Sequence, residues 1–218
     1  MFLSALPCVG LVALAAALPT PDGGASIINT RGTTEPQGES LGFATVNAKV
    51  HESRPGGKTY NTVYPADWDQ NSTAATEDIF NQVHAGLAAN ADECFILEGY
   101  SQGATATVDA LARLTDAAFN AVKGVLLIGN PLHKAGLACN VDLDGGDSTF
   151  DVDGIWIVEE RSDGIPDNWV PKTLDVCNFG DGVCDTKNGE DLITEEHLAY
   201  ITDDGMHEMG AKFVLGRL

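Results

Sequence analysis

The sequence predicts an α/β fold, a three-layer α/β/α sandwich built on a central, mostly parallel sheet. Three observations carry that expectation. Strand-like apolar runs alternate with helical patterns along the chain. Those runs are near-continuous rather than alternately apolar and polar, as strands covered on both faces require. Finally, the stretch Gly99-Tyr100-Ser101-Gln102-Gly103 lies between such a run and a helical pattern, where a serine at a tight strand-to-helix turn projects its hydroxyl above the sheet.

After a Pro/Gly-rich leader at 19–24, residues 25–30 read as the first strand, 43–51 as a helix and 59–63 as a second strand. A long helical pattern covers 73–89. Cys94-Phe95-Ile96-Leu97 is the third strand, 104–112 the helix after the serine turn, and 116–122 a short Ala-rich stretch. Val125-Leu126-Leu127-Ile128, Ile155-Trp156-Ile157-Val158 and Thr173-Leu174-Asp175-Val176 read as further strands, since short apolar runs suit a sheet buried on both sides. Residues 206–218 read as a closing helix. The sequence shows no internal repeat, heptad or second boundary, so residues 18–218 are expected to form a single domain with a full core.

Residues 1–17 carry no charge, hold an apolar run from Val9 to Ala16 and end in Ala15-Ala16-Ala17, a small-residue cleavage pattern. They read as a secretory signal peptide, too short in its apolar part to be a permanent membrane span. The expected location is extracellular, with no membrane insertion. Cys8 would leave with the signal, so Cys94, Cys139, Cys177 and Cys184 would remain in an oxidising compartment. Cys177 and Cys184 bracket a turn-rich hexapeptide, and a local bridge closing that loop is the best single pairing. Cys94 and Cys139 are left either as a second pair or as two buried thiols. The net charge of -20 repels nucleic acid and anionic lipid and favours neutral substrates. Asn71-Ser72-Thr73 is a glycosylation sequon, consistent with an exposed loop.

A nucleophilic serine needs a base to take its proton and a carboxylate to hold that base, in the chain order Ser, Asp or Glu, His on α/β-hydrolase scaffolds. The sequence offers Asp181 inside the Cys177–Cys184 loop and His197 in Glu195-Glu196-His197-Leu198-Ala199-Tyr200, read as a loop ahead of the last helix. Simpler readings stand beside these. Ser101 fits an ordinary tight turn, Asp181 a turn cap between two glycines, and His197 a surface loop.

Together with Thr30-Arg31-Gly32-Thr33-Thr34-Glu35-Pro36 and Gly129-Asn130-Pro131, these stretches make the chain resemble the fungal cutinases and cutinase-like esterases, small lidless secreted serine esterases. The resemblance covers almost all of the chain after the leader. It implies Ser101 as nucleophile, His197 as general base and then acid, and Asp181 as the orienting carboxylate. It also implies an oxyanion hole from the backbone N–H groups of Gln102 and Thr33, with the Thr33 hydroxyl as a further donor; loss of one such donor costs about 2.7 to 4 kcal/mol in the barrier. The alternative for Thr33 is a hydrogen bond within its own loop. The chain departs from the family where a cysteine usually stands near the first strand: Gly23, Gly24 and Ala25 occupy that place, leaving Cys94 without its usual partner. Glu195 and Glu196 beside His197 favour imidazolium, so activity is expected at higher pH than in less acidic relatives.

The function implied is hydrolysis of cutin-type polyesters and short to medium acyl esters through an acyl-enzyme, by a monomer without metal or organic cofactor. Val183, Ile193 and Leu198 are expected at an acyl-facing rim. The alternatives are an acetylxylan esterase on the same fold and, in another class, a non-catalytic secreted binding or effector protein on a hydrolase scaffold. Asp142-Leu143-Asp144-Gly145-Gly146-Asp147 lacks the glycine and glutamate of a calcium loop, and His207 with Glu208, Asp203 and Asp204 lacks a companion motif for a metal. A solvated loop and a surface or capping role are expected there. His51, His84 and His133 are read as structural, and Trp68, Trp156 and Trp169 as packing in the core or at the cleft.

Overall fold

Strand β1 (Ser26–Thr30) lies between β2 (Lys58–Asn61) and β3 (Phe95–Tyr100), and all three run parallel. Beyond β3 come β4 (Val122–Ile128), β6 (Thr173–Val176) and the two-residue edge strand β5 (Asn140–Val141), again in parallel. The sheet order is β2-β1-β3-β4-β6-β5. This computed structural model describes residues 25–159 and 163–218; the signal peptide expected at 1–17 lies outside them.

Side chains one residue apart on a strand point to opposite faces, and here both faces are apolar. Ile28, Leu97, Val125 and Leu127 pack with residues of α2 (Thr73–Ala89), α3 (Gln102–Leu111) and α4 (Asp116–Ala121) on one side. Ile27, Ile96, Leu126 and Ile128 pack with Phe43 and with residues of α1 (Ala44–Ser53) and α7 (Asp204–Arg217) on the other. That two-sided burial explains why the strands read as continuous apolar runs. Each fully buried leucine or isoleucine contributes about 1.5–3 kcal/mol relative to exposure.

The expected strand at 155–158 is instead a helix, α5 (Ile155–Glu159). Val158 N donates to the Gly154 carbonyl at 3.2 Å, and Trp156 N to the Pro131 carbonyl at 3.0 Å. A four-residue apolar run satisfies either period, and here the docking of Gly154 onto the 130–133 loop decides it: Gly154 N donates to the His133 carbonyl at 2.8 Å. His197, expected in a loop, sits in a short helix α6 (Glu195–Leu198) capped by the Thr194 hydroxyl.

The chain leaves β1 for β2 on one side and reaches β3 on the other, so the direction of winding reverses between β1 and β3. Ligands of open parallel sheets bind outside the carboxyl ends of the strands at such a point. The segment holding Thr33 follows β1, and Ser101 follows β3.

Candidate active site

Ser101 follows β3 and caps α3, with φ 54° and ψ −120°. A non-glycine residue there costs about 1–3 kcal/mol and persists only when its surroundings hold it. Ser101 N donates to the Ile128 carbonyl at 3.0 Å, and its own carbonyl accepts from Ala104 N at 2.8 Å and Thr105 N at 3.2 Å. Gly103 lets α3 begin against the end of β1, since a Cβ would fall on the Thr30 carbonyl oxygen. The Gln102 N–H, first in α3, has no intrahelical acceptor and remains available to a ligand.

His197 Nε2 lies 3.0 Å from Ser101 Oγ, and His197 Nδ1 lies 2.9 Å from both carboxylate oxygens of Asp181. Both side chains are buried. The imidazole is fixed from several directions. Tyr100 donates its hydroxyl to the His197 carbonyl at 2.8 Å, and its ring stacks on the imidazole with centroids 5.4 Å apart. Gly129, with φ +55°, passes close on another side, where a Cβ would come within 2.9 Å of the ring.

Asp181 accepts two further hydrogen bonds. Val183 N donates to Oδ1 at 2.9 Å and the Tyr200 hydroxyl to Oδ2 at 2.8 Å. Tyr200 in turn accepts from Asn178 N at 2.7 Å. Burial, and then the Asp181 charge, push the Tyr200 hydroxyl well above its usual pKa, so it stays a donor. The Cys177–Cys184 disulfide closes this loop; such bridges typically contribute about 2–4 kcal/mol. The sequence segment after His197 includes Tyr200, but its place on the carboxylate emerges only from the fold; the three-residue spacing, which puts Tyr200 on the same side as His197, is the available signal.

Across from Ser101, the Thr33 hydroxyl pairs with the Gln70 side chain, accepting from Nε2 at 3.0 Å and donating to Oε1 at 3.3 Å. Thr34 N donates to the Ala66 carbonyl at 2.7 Å, and Gln102 Nε2 to the Asp67 carbonyl at 3.0 Å. The 66–70 segment thereby grips both expected oxyanion residues and carries Trp68 at its tip, 69% exposed. Two clefts meet over Ser101 and share Thr33, Trp68 and Ile193 as walls. The first, about 260 Å³, adds Leu41, Tyr100, His197 and Leu198. The second, about 200 Å³, adds Gln70, Pro131, Trp156, Val183 and Leu192. Leu41, Leu192, Ile193 and Leu198 are each about half exposed, so the mouth is ringed by apolar side chains.

Several expected residues lie elsewhere. Cys94 and Cys139 are separate thiols, half-buried and buried, and burial pushes the Cys139 thiol up to about 12. Asp142 spends its carboxylate on Asp144 N, Gly146 N, Ser148 N and the Ser148 hydroxyl. His207, expected at the surface or at a cap, is buried with Nε2 3.1 Å from the Tyr200 carbonyl, while Asp203 caps α7. Trp169 is core. Glu195 and Glu196 are exposed. Among the described residues no helix is long and apolar enough to cross a membrane.

The family model for cutinase matches residues 23–218. A cutinase-like protein from Cryptococcus sp. is 53% identical, with 89% of this chain and 94% of that one covered and a TM-score of 0.85. The catalytic core domain of acetyl xylan esterase from Trichoderma reesei is 24% identical over 90% of this chain and all of that one, TM-score 0.71. The Trichoderma reesei cutinase, solved with a phosphonate inhibitor, is 23% identical over 88% and 75%, TM-score 0.61. The last two share the fold; the family match and the 53% identity carry more, and they establish that this chain belongs to the cutinase family and is a serine ester hydrolase.

Proposed function

We propose that the protein is a secreted carboxylic ester hydrolase that cleaves polyesters of the cutin type and short to medium acyl esters through Ser101, His197 and Asp181. The observation that carries the reading is the unbroken hydrogen-bond chain from Ser101 Oγ through the His197 ring to Asp181, at the floor of an apolar, open-mouthed cleft. Neutral His197 accepts the Ser101 proton at Nε2 as Oγ attacks the ester carbonyl. Asp181 holds Nδ1–H and stabilises the imidazolium that forms. The oxyanion takes N–H donors from Gln102 and Thr33 and the Thr33 hydroxyl, which accepts from Gln70 Nε2 at 3.0 Å and turns its proton from Gln70 Oε1, 3.3 Å away, to the developing charge. His197 then protonates the departing alcohol, and water repeats the cycle on the acyl-enzyme.

The exposed rim of Leu41, Trp68, Leu192, Ile193 and Leu198 favours an acyl chain over a sugar ring, which sets the cutinase reading above an acetylxylan esterase. Incubation with a fluorophosphonate probe, alongside a p-nitrophenyl ester series from acetate to palmitate, tests both. Labelling of wild type but not Ser101→Ala, with good turnover of butyrate and longer esters, is the expected result. An acetate-only profile would transfer the protein to the sugar-ester class, and absence of both labelling and turnover in folded protein would leave a binding protein.

A further inference from the structure

Glu98 stands on β3, three residues ahead of Ser101, with its carboxyl group fully enclosed. Its Oε2 accepts from Asn29 Nδ2 on β1 at 2.8 Å and from Asn47 Nδ2 on α1 at 3.0 Å. Among the described residues no lysine, arginine or histidine bonds to it. The charged neighbours are acidic. Asn47 Nδ2 also donates to Glu39 at 3.0 Å, and Glu35 is reached through Ser40, whose N–H donates to Asn29 Oδ1 at 2.8 Å and whose hydroxyl donates to Glu35 Oε2 at 2.9 Å. On the other side β4 sets Leu126 in register with Glu98. Helix α7, packed on α1 and β4, contributes His207, which is engaged with the Tyr200 carbonyl; Arg31 spends its guanidinium on the carbonyls of Glu35, Thr62, Tyr64 and Pro65.

Two buried oxygens of this cluster lack a donor, Glu98 Oε1 and Asn47 Oδ1. A carboxylate worsens that deficit, because it brings charge and no proton into a site that already holds an unpaired acceptor. A neutral acid removes the buried charge and turns the acid group into a donor as well as an acceptor in a cluster short of donors. Burial raises the Glu98 pKa, the two asparagine amides oppose the rise, and Glu39 adds to it, leaving the group at about 8. The polar path also continues to the reacting end of the molecule. Glu35 accepts from Gly32 N with Oε2 and from Leu41 N with Oε1, fixing the loop that carries Thr33.

We infer that Glu98 is a positioning residue kept as the neutral acid, that it braces the Thr33 loop through Asn29, Ser40 and Glu35, and that loss of its proton to solvent in mild alkali slackens that loop. The role at the reaction rests on the assignment of Ser101 and Thr33 above; the protonation state does not. A glutamine at 98 keeps both hydrogen bonds, since its carbonyl oxygen accepts from the two asparagine amides, and carries N–H donors without charge at the other position.

The test is a pH series of kcat, KM and melting temperature on wild type, Glu98→Gln and Glu98→Leu. The wild-type kcat is expected to fall along an alkaline limb centred near pH 8, with KM little changed. Glu98→Gln should keep the plateau kcat and lack that limb, and Glu98→Leu, which strands both asparagines, should melt lower at every pH. The melting curves provide a readout independent of catalysis. The folded form holds the proton from the unfolded pKa near 4.5 up to about 8, so wild type should lose stability relative to Glu98→Gln as pH rises through that window and run parallel above it. An alkaline limb that persists in Glu98→Gln, a constant melting difference across the window, or a Glu98→Gln protein as unstable as Glu98→Leu would each overturn the proposal. Failure of fluorophosphonate labelling at all pH values would instead sink the Ser101 assignment, leaving the melting result to stand on its own.

Discussion

Among the described residues two buried histidine–aspartate pairs stand at the same separation, and they differ in what the second ring nitrogen meets. His197 Nδ1 and His133 Nδ1 each lie 2.9 Å from a carboxylate, of Asp181 and Asp175 respectively. His197 Nε2 then faces the Ser101 hydroxyl, which can give up a proton, whereas His133 Nε2 lies 3.0 Å from the Thr149 carbonyl, which cannot. With an acceptor at each nitrogen, His133 is satisfied only as an imidazolium and makes a buried ion pair. It clips the 130–133 loop to β6, with Asn130 Nδ2 also donating to Asp175 at 3.2 Å. On the proposed mechanism the first pair is a proton relay, while the second is a fastener. A hydroxyl in place of a carbonyl makes the difference.

Matched substitutions in the two pairs break or sharpen this contrast. Ser101→Ala or His197→Ala should lower kcat on a p-nitrophenyl ester by a factor on the order of 10⁶, and Asp181→Asn by about 10⁴, since the orienting carboxylate contributes less than the nucleophile and base. Melting temperatures should move little by comparison. Asp175→Asn reverses the pattern. Activity per folded molecule should stay near wild type, while unfolding free energy falls by about 3–5 kcal/mol, because His133 loses the partner for a buried charge. Equal losses of kcat in Asp175→Asn and Asp181→Asn, measured on folded protein, would erase the distinction.

The fastener also has a pH signature. Burial works against a charged His133, but the Asp175 charge and hydrogen bond, the Thr149 carbonyl and Asp153 outweigh it and raise the pKa. A raised histidine pKa gives stability that is complete below the unfolded value near 6.5 and is lost as pH rises through the folded value. Wild type should therefore weaken above neutrality by urea unfolding, and His133→Gln should lose that part of the slope while starting from a lower plateau. Glu98→Gln separates the two alkaline terms, since its window opens lower, near 4.5.

The two pairs were unequally legible in the sequence, for a physical reason. Asp181 and His197 sit in segments whose order and turn chemistry carry meaning before any fold is known, and the structure brings both to Ser101. The centre of the parallel sheet was legible as well, because β3 and β4 are covered on both faces and read as plain apolar runs. His133 could be read only as structural. Its partner lies 42 residues away on β6, and nothing local to either residue announces the other. The same holds for Glu98, whose neighbours come from β1 and α1. Helix α5 was misread because Ile155-Trp156-Ile157-Val158 is too short for its period to distinguish helix from strand, and β5 escaped because two residues make no pattern.

Tyr200 provides the smallest and most discriminating contrast. It donates to Asp181 Oδ2 and accepts from Asn178 N, and Asp175 has no such phenol: its Oδ1 is left without a donor. The relay carboxylate is fully dressed, then, and the fastener carboxylate is not. A second donor steadies the charge that must stabilise imidazolium during the reaction, whereas a permanent ion pair already has its proton in place. Tyr200→Phe should lower stability by about 1–3 kcal/mol, since it takes a buried donor from Asp181 Oδ2 and the acceptor from Asn178 N. It should also lower kcat about tenfold with KM unchanged, because the lost bond acts through Asp181 on the transition state rather than on substrate binding. A drop in stability without any change in kcat would mean that the imidazole alone suffices to hold Asp181 in register.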